Sequence, residues 1–151
     1  DITPLFADYD AFSALVDDIL TAFSPNDFDY IAGIDALGFI LGTAVSIRAA
    51  KGFIPIRKGG KLPVATRSVS FVNYLGVQKS LEIRVDAALL GEKVLIVDEW
   101  IETGTQVHAA VELIESQQGT IAGIATIKMD ENESTQILKK KYKCYQVPRK
   151  E

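Results

Sequence analysis

A regular alternation of strand-like and helix-like segments is the feature of this 151-residue chain that most restricts its fold. The clearest strand is the apolar run VLIV at residues 94–97, which is typical of a central parallel strand buried on both faces. The helix after it carries apolar side chains at helical spacing, namely Val107, Ala110, Val111 and Ile114. Strands that alternate with helices indicate an α/β fold with a mostly parallel sheet flanked by helices.

The same alternation predicts the remaining elements. Helices are expected at about 12–23, 39–50 and 131–141, and strands at 30–34, 53–56, 121–127 and, at an edge, 143–147. The pattern weakens from residue 57 to about residue 79, where a basic, glycine-rich stretch is followed by weak strands at 68–72 and 81–85. A connection this long in a small domain usually serves function or moves, so we expect a mobile segment here.

Composition restricts the class of protein. The length fits one domain over residues 1–151, and 48% hydrophobic with 24% charged residues argues against disorder. A net charge of −4 argues against non-specific nucleic-acid binding, and we find no apolar run of the roughly 18 residues that a membrane span needs. The single cysteine, Cys144, excludes an intrachain disulfide, and the single histidine, His108, excludes most zinc sites.

The N-terminal end gives a weaker indication. No signal peptide is visible, so we expect a cytoplasmic protein. The chain opens at Asp1 without a methionine, and further residues can therefore precede it.

Three predicted strand ends carry unusual chemistry, and ligands of open α/β sheets bind at the carboxyl ends of strands. These ends are GIDALG at 33–38, the basic loop at 57–61 and DEWIETGTQ at 98–106. In the third, Asp98 and Glu99 can accept from sugar hydroxyls, and the Thr-Gly-Thr turn that opens the next helix suits a phosphate. The pattern fits a ribose 5-phosphate. A plain strand-to-helix turn with solvated acids and a threonine cap is the alternative.

The block VLIVDEWIETGT at 94–105 resembles the phosphoribosyl-pyrophosphate (PRPP) motif of type I phosphoribosyltransferases. Four further blocks resemble the adenine phosphoribosyltransferase family in particular: DITPL at 1–5, DYIAGIDALGF at 29–39, IRKGGKLP at 56–63 and LEI with DA at 81–87. A response-regulator strand also reads IVDE, but it lies near the N-terminus of that family. The resemblance therefore covers nearly the whole chain, in order.

The resemblance implies a type I phosphoribosyltransferase fold with a flexible lid at about 59–80. It implies transfer of phosphoribose from PRPP to a purine, most readily adenine, by a homodimer that needs Mg²⁺ bound through PRPP and no protein metal site. Asp98 and Glu99 would hold the ribose hydroxyls. The implied 5-phosphate loop consists of Glu102, Thr103, Gly104, Thr105 and Gln106. The pyrophosphate loop would consist of Asp35, Ala36 and Leu37, with Lys61 acting from the lid and Arg57 flanking the base.

Several residues depart from the family pattern. Leu37 and Gly59 stand where the family has arginines, and an arginine offers charge-assisted hydrogen bonds of about 1.5–3 kcal/mol each. The family's lid carries a glutamate proposed to handle the purine proton, where this sequence has Asn73 or Tyr74, depending on the alignment. Gln106 replaces the last hydroxyl residue of the phosphate loop.

Glu102 is the most informative departure, because the adenine enzymes usually have alanine there. The hypoxanthine-guanine enzymes have an aspartate at this position, placed to exchange a proton with the purine. One hypothesis is that Glu102 performs this proton transfer. The alternative is a solvated acid at a helix N-terminus, favoured by the helix dipole. For Trp100 we expect core packing, with the wall of the base pocket as the alternative.

Three functions stay open from the sequence. The first is an active purine phosphoribosyltransferase. The second is a sensor that binds PRPP or a nucleotide on the same fold, suggested by Leu37, Gly59 and the missing lid carboxylate. The third keeps the transfer fold but uses another leaving group or acceptor.

Overall fold

The computed structural model of the chain describes residues 1–87 and 89–148. Five α-helices, one 3-10 helix and seven strands make up this described part. Their order is α1 (Thr3–Ala7), α2 (Tyr9–Ala22), the 3-10 helix (Pro25–Asp27), β1 (Tyr30–Ile34), α3 (Leu37–Ala49), β2 (Gly52–Lys58), β3 (Thr66–Val72), β4 (Gln78–Arg84), β5 (Lys93–Ile101), α4 (Thr105–Glu115), β6 (Thr120–Met129), α5 (Glu133–Lys141) and β7 (Cys144–Gln146).

The strands form one sheet in the order β3-β4-β2-β1-β5-β6-β7. The five strands that are neighbours in the order β2-β1-β5-β6-β7 are parallel to one another. Strand β4 pairs antiparallel with β2, and β3 pairs antiparallel with β4. The predicted mostly parallel sheet is therefore confirmed. Because β1 is followed by β2 on one side and flanked by β5 on the other, the strand order reverses between β1 and β5. Ligands of open α/β sheets bind at such a reversal.

Two hydrophobic clusters lie on the two faces of the sheet, one beneath α2 and α3 and the other beneath α4 and α5. Successive side chains of a strand point to opposite faces, so β5 supplies both clusters. Leu95 and Val97 pack with α2 and α3, while Val94 and Ile96 pack with α4. None of the helices in the described ranges has the length and apolar content that a membrane crossing requires.

Strand β5 is longer than the sequence predicts, and this corrects the position of the acid pair. It runs through Ile101, so Asp98 and Glu99 lie within the strand and not beyond its end. The neighbouring strand β6 has ten residues and pairs with β5 as far as Met129, opposite Ile101. Backbone pairing depends little on whether a side chain is polar, so the acids do not end the strand. One of them is consequently buried.

The segment predicted to be a mobile connection contains an ordered hairpin. Strands β3 and β4 pair over seven residues each, and Asn73 shapes the turn between them by accepting the backbone N–H of Leu75 at 3.0 Å and of Val77 at 2.9 Å. The hydroxyl of Thr105 at the start of α4 donates to the carbonyl of Val72 at 2.8 Å. This contact holds the end of β3 next to the loop between β5 and α4. The mobility of the hairpin stays a prediction.

Gly38 allows α3 to approach β5 closely. A Cβ atom at this position would lie 2.8 Å from the carbonyl oxygen of Val97 and 3.2 Å from Oδ1 of Asp98. Contacts this short would force the backbones apart. The glycine therefore sets the distance between the loop after β1 and the acid pair on β5.

Candidate functional site

A cleft of about 600 Å³ lies over the reversal between β1 and β5, and the β3–β4 hairpin forms its opposite wall. Its lining residues are Asp35, Ala36, Leu37, Lys58, Gly59, Phe71, Asn73, Tyr74, Lys79, Ser80, Asp98, Glu99, Trp100, Glu102 and Gln106. A smaller cavity of about 70 Å³ adjoins it and is bounded by the loop that opens α4. The loop residues there are Thr103, Gly104, Thr105 and Gln106.

Most of the site residues predicted from the sequence are brought together here. The predicted pyrophosphate loop, the acid pair and Glu102 all line the main cleft, and the predicted phosphate loop lines the adjoining cavity. Lys61 and Arg57 are not among the lining residues. Lys61 is exposed. Arg57 lies beside the loop after β1, with its Nε 3.9 Å from Oδ2 of Asp35.

Asp98 is a buried carboxylate, with only 3% of its surface exposed. Its Oδ1 accepts the backbone N–H of Glu99 at 2.9 Å, and its Oδ2 accepts Nε2 of Gln106 at 3.4 Å. Burial raises the pKa of Asp98 well above its usual range, and the neighbouring carboxyl of Glu99 raises it further. A ligand that brings hydroxyl donors or a cation to this pair would favour its ionised form.

The loop that opens α4 gathers hydroxyl and amide groups. Gly104 caps the helix, and the hydroxyls of Thr103 and Thr105 lie 2.9 Å apart. The first N–H groups of a helix have no partner within the helix, and the helix dipole favours an anion there. The side chain of Gln106 points to Asp98, so only its backbone remains for a phosphate.

The loop after β1 faces the acid pair across the cleft. Its Asp35–Ala36 peptide bond is cis, and α3 begins at Leu37. Oδ2 of Asp35 accepts the backbone N–H of Lys58 at 3.3 Å, which ties this loop to the end of β2. Leu37 is half-buried at the cleft wall and supplies no charge.

Sequence reasoning gave no role to Lys58, although it lies in the basic loop at 57–61, and it missed Lys79; both lysines line the cleft, one from β2 and the other from β4. Gly59 lies between them, and a Cβ at this residue would come within 2.0 Å of Oγ of Ser80. The side chain of Ser80 therefore occupies the place where residue 59 would otherwise project. The sequence pattern does not contain the pairing of β2 with β4, and this pairing brings Lys79 to the cleft that the loop after β1 also lines.

Trp100 does not pack in the core, contrary to the interpretation that the sequence favours. It is 44% exposed and lines both cavities. Its Nε1 donates to Oδ2 of Asp130 at 3.1 Å, and Nζ of Lys128 lies 3.9 Å from the ring centroid. The indole is thereby held as a wall of the cleft.

Glu102 is half-buried and lines both cavities. Its backbone carbonyl accepts Nδ2 of Asn132 at 2.7 Å, which fixes the backbone that carries the carboxylate. The segment at 59–80, which the sequence predicts to be a lid, contains no aspartate or glutamate, and its Asn73 side chain is engaged in the hairpin turn. Glu102 is therefore the candidate proton acceptor at this end of the cleft, and Tyr74 offers a hydroxyl from the hairpin.

Comparisons with known proteins agree with this geometry. Residues 9–150 match the family model described as "Phosphoribosyl transferase domain". An adenine phosphoribosyltransferase of Halothermothrix orenii is 44% identical over 124 residues, which are 82% of this chain and 72% of that protein.

Solved structures show the same fold. The adenine phosphoribosyltransferase of Thermoanaerobacter pseudethanolicus superposes with a TM-score of 0.88 at 34% identity, covering 97% of this chain and 84% of the other. The Saccharomyces cerevisiae enzyme, complexed with an imino-altritol bisphosphate and adenine, gives a TM-score of 0.83 at 28% identity over 97% and 84% of the two chains. With the family model covering nearly the whole chain and the cleft built from its motif residues, this chain belongs to the phosphoribosyl transferase domain family.

Proposed function

We propose that this chain transfers phosphoribose from PRPP to a purine base, adenine in the first place, and releases pyrophosphate. The observation that carries the proposal is that the acid pair on β5 and the loop after β1 border the main cleft, while the helix N-terminus of α4 borders the smaller cavity that adjoins it. A ribose with a phosphate at one end and a diphosphate at the other needs these three groups side by side. The adenine phosphoribosyltransferases that resemble the chain support adenine as the base.

The ribose end of PRPP would lie along β5. Asp98 and Glu99 would accept the ribose hydroxyls, and the 5-phosphate would enter the smaller cavity at Thr103, Gly104 and Thr105. The first-turn amides of α4 supply donors to that phosphate. Asp35, Ala36 and Leu37 would then face the pyrophosphate group, mainly through their backbone.

Mg²⁺ fits the donor set of the cleft. The described residues contain no group of three or more His, Cys, Asp or Glu side chains that could hold a metal by themselves. Mg²⁺ is commonly bound through substrate phosphates, one or two carboxylates and waters, and the carboxylates that line the cleft suit this arrangement. When bound with PRPP, the ion would neutralise charge on the pyrophosphate leaving group.

The reaction breaks the bond between ribose C1 and a pyrophosphate oxygen and forms a bond from C1 to a purine nitrogen, whose proton must leave. Positive charge develops on the ribose as the leaving group departs. The acid pair beneath the ribose stabilises that charge, and more strongly once water is excluded. The β3–β4 hairpin is placed to exclude water, and Glu102 would accept the purine proton.

The sequence interpretation assigns Lys61 to the pyrophosphate, whereas Lys79 and not Lys61 lines the cleft. This difference can be tested. We expect Lys79→Ala to raise the KM for PRPP by about tenfold or more, because a charged hydrogen bond contributes about 1.5–3 kcal/mol. Lys61→Ala, the control, removes an exposed lysine that does not line the cleft and should raise this KM less. Steady-state kinetics with PRPP varied measure both. A larger effect at Lys61 would show that the lid moves over the pyrophosphate during the reaction.

The test of the function itself is a turnover assay with PRPP, Mg²⁺ and each purine in turn. Nucleotide and pyrophosphate are followed by chromatography. Equal formation of both products with adenine is the expected result. A thermal shift with PRPP or a nucleotide, without turnover of any base, would instead support a sensor on this fold, for which Leu37 is the favouring observation.

Two further properties are part of the proposal. The chain would act as one transferase domain over residues 1–151, with residues 59–80 as its lid, and it would form the homodimer that the family resemblance implies. Light scattering after size exclusion measures the second property directly.

A further inference from the structure

Glu82 is a buried carboxylate outside the cleft that holds an exposed loop. It lies on β4 with 5% of its surface exposed. Its carboxylate accepts the backbone N–H groups of Gly60 at 3.0 Å, Lys61 at 2.7 Å and Leu62 at 2.6 Å. The hydroxyl of Thr66 approaches it at 3.5 Å. Three consecutive amides of the basic loop thus converge on one side chain.

The charge on Glu82 is favoured by these donors. Burial acts to raise the pKa of its carboxyl, but the N–H groups of Leu62, Gly60 and Lys61 together offset that effect, and the pKa is lowered. The carboxylate is therefore ionised near neutral pH. A neutral side chain with one acceptor oxygen, or with none, would leave at least one of these three N–H groups without an acceptor. An unsatisfied N–H group beside a buried side chain lowers the stability of the loop.

The loop held by Glu82 connects to the cleft through two side chains. The carbonyl of Lys61 accepts Nη1 of Arg57 at 3.0 Å. Nε of Arg57 is buried, has no hydrogen-bond partner among the described residues, and lies 3.9 Å from Oδ2 of Asp35. Asp35 lines the cleft, and its Oδ2 also accepts the backbone N–H of Lys58. A shift of the loop would therefore move Arg57 relative to Asp35.

We propose that Glu82 is a positioning residue for the pyrophosphate end of the cleft. Its carboxylate holds the loop at 60–62, and the carbonyl of Lys61 in that loop holds Arg57. Arg57 and the backbone N–H of Lys58 then hold Asp35 at the cleft. The residue never touches a ligand. This inference rests on the proposed function for the name of the ligand, but its geometry concerns one end of the cleft only.

Glu82→Gln tests the proposal, since it keeps the shape of the side chain and turns one acceptor oxygen into an NH₂ group that faces N–H donors. The variant should raise the KM for PRPP by about tenfold, while the KM for the purine changes less than about twofold. Ile83→Val is the matched control, because Ile83 is the next residue of β4 and is 1% exposed in the core. It should lower stability and leave both KM values unchanged.

Binding without turnover separates this proposal from the proposed function. Trp100 is the single tryptophan of the chain and lines the cleft, so its fluorescence reports ligands directly. Inorganic pyrophosphate should bind Glu82→Gln about tenfold more weakly than it binds the wild type, and ribose 5-phosphate should bind both equally. This result in a protein that does not turn over would sustain the role of Glu82 and reject the transferase.

Other outcomes overturn the proposal. Equal loss of affinity for pyrophosphate and ribose 5-phosphate would show that Glu82 only supports the fold, and unchanged affinity for pyrophosphate would show that the loop does not reach the cleft. A wild type that binds neither ligand would reject both proposals. If Glu82→Gln does not fold, Glu82→Asp keeps the charge and should show the same selective loss for pyrophosphate, to a smaller degree.

Discussion

Replacing Asp98 with asparagine is expected to stabilise the protein at neutral pH while lowering kcat/KM by about 10- to 100-fold. The two effects have one cause. Burial raises the pKa of this carboxyl, so its negative charge is unfavourable in the folded protein without ligand. The same charge is the acceptor that we propose for a ribose hydroxyl and for the positive charge of the transition state.

The effect on stability depends on pH with a definite sign. Between the unfolded pKa, about 3.9, and the raised folded pKa, the native state retains a proton that the unfolded state has lost. The free energy of unfolding therefore falls as pH rises through this window, and the loss persists above it. Asparagine does not titrate, so the Tm of the variant should match that of the wild type at low pH and exceed it near neutrality.

An asparagine fits the contacts of Asp98. Its Oδ1 can still accept the N–H of Glu99, and its Nδ2 can donate to the carboxylate of Glu99 and to the oxygen of a rotated Gln106 amide. Melting curves from pH 4 to pH 8 and kcat/KM at each pH measure the two effects. A lower Tm at neutral pH would contradict the cost of the buried charge, and unchanged kcat/KM would remove Asp98 from the ribose site.

Asp86→Asn is a control of opposite sign. Asp86 is exposed and pairs with Arg84 at 2.6 Å, which lowers the pKa of its carboxyl. Its small contribution to stability is present above the unfolded pKa and is lost as pH falls through the folded one. The variant should therefore lose a little stability at neutral pH and keep the wild-type kcat/KM.

Glu102→Gln should lower kcat by about 100-fold or more, because general base catalysis commonly contributes 10²–10⁴-fold. The KM for PRPP should change little, since glutamine fills the same space and a carboxylate beside a bound phosphate does not aid binding. Steady-state kinetics with PRPP varied and adenine saturating measure both kcat and KM.

Two variants make this result interpretable. Glu112→Gln changes an exposed acid of α4, the helix that follows Glu102 in the chain, and should leave kcat at the wild-type value. Tyr74→Phe removes the hydroxyl that the hairpin offers to the cleft, and we expect at most a small effect. If Glu102→Gln has wild-type kcat, Glu102 is an acid at a helix N-terminus with no part in the reaction.

Periodicity predicts the parallel part of this fold well, because most strands there contain a short apolar run next to a helix. Strand β1, the first half of β5 and helix α4 lie where their apolar patterns place them. The second half of β5 was missed for a physical reason. Polar residues such as Asp98 and Glu99 interrupt the apolar pattern, but the pairing that continues the strand comes from β6, which a local pattern does not contain.

The site divides in a similar way. Residues consecutive in the chain, such as the acid pair and the loop of α4, form recognisable motifs. Lys79 and Glu82 do not, since their roles depend on antiparallel pairing of β4 with β2 and β3. The available signal for Glu82 was an acid flanked by apolar Leu81 and Ile83 in a predicted strand. Such an acid is expected to face solvent until the loop at 60–62 is known to cover it.

The close approach at Gly38 also limits how this cleft can diverge. A side chain there would separate α3 from β5 and so move Leu37 away from Asp98, the residues that we propose for the pyrophosphate and for a ribose hydroxyl. Substitutions elsewhere on the cleft wall, as at Trp100, leave that spacing intact. We therefore expect substitutions at the cleft wall to be tolerated, whereas the distance between the loop after β1 and the acid pair is fixed by backbone contact.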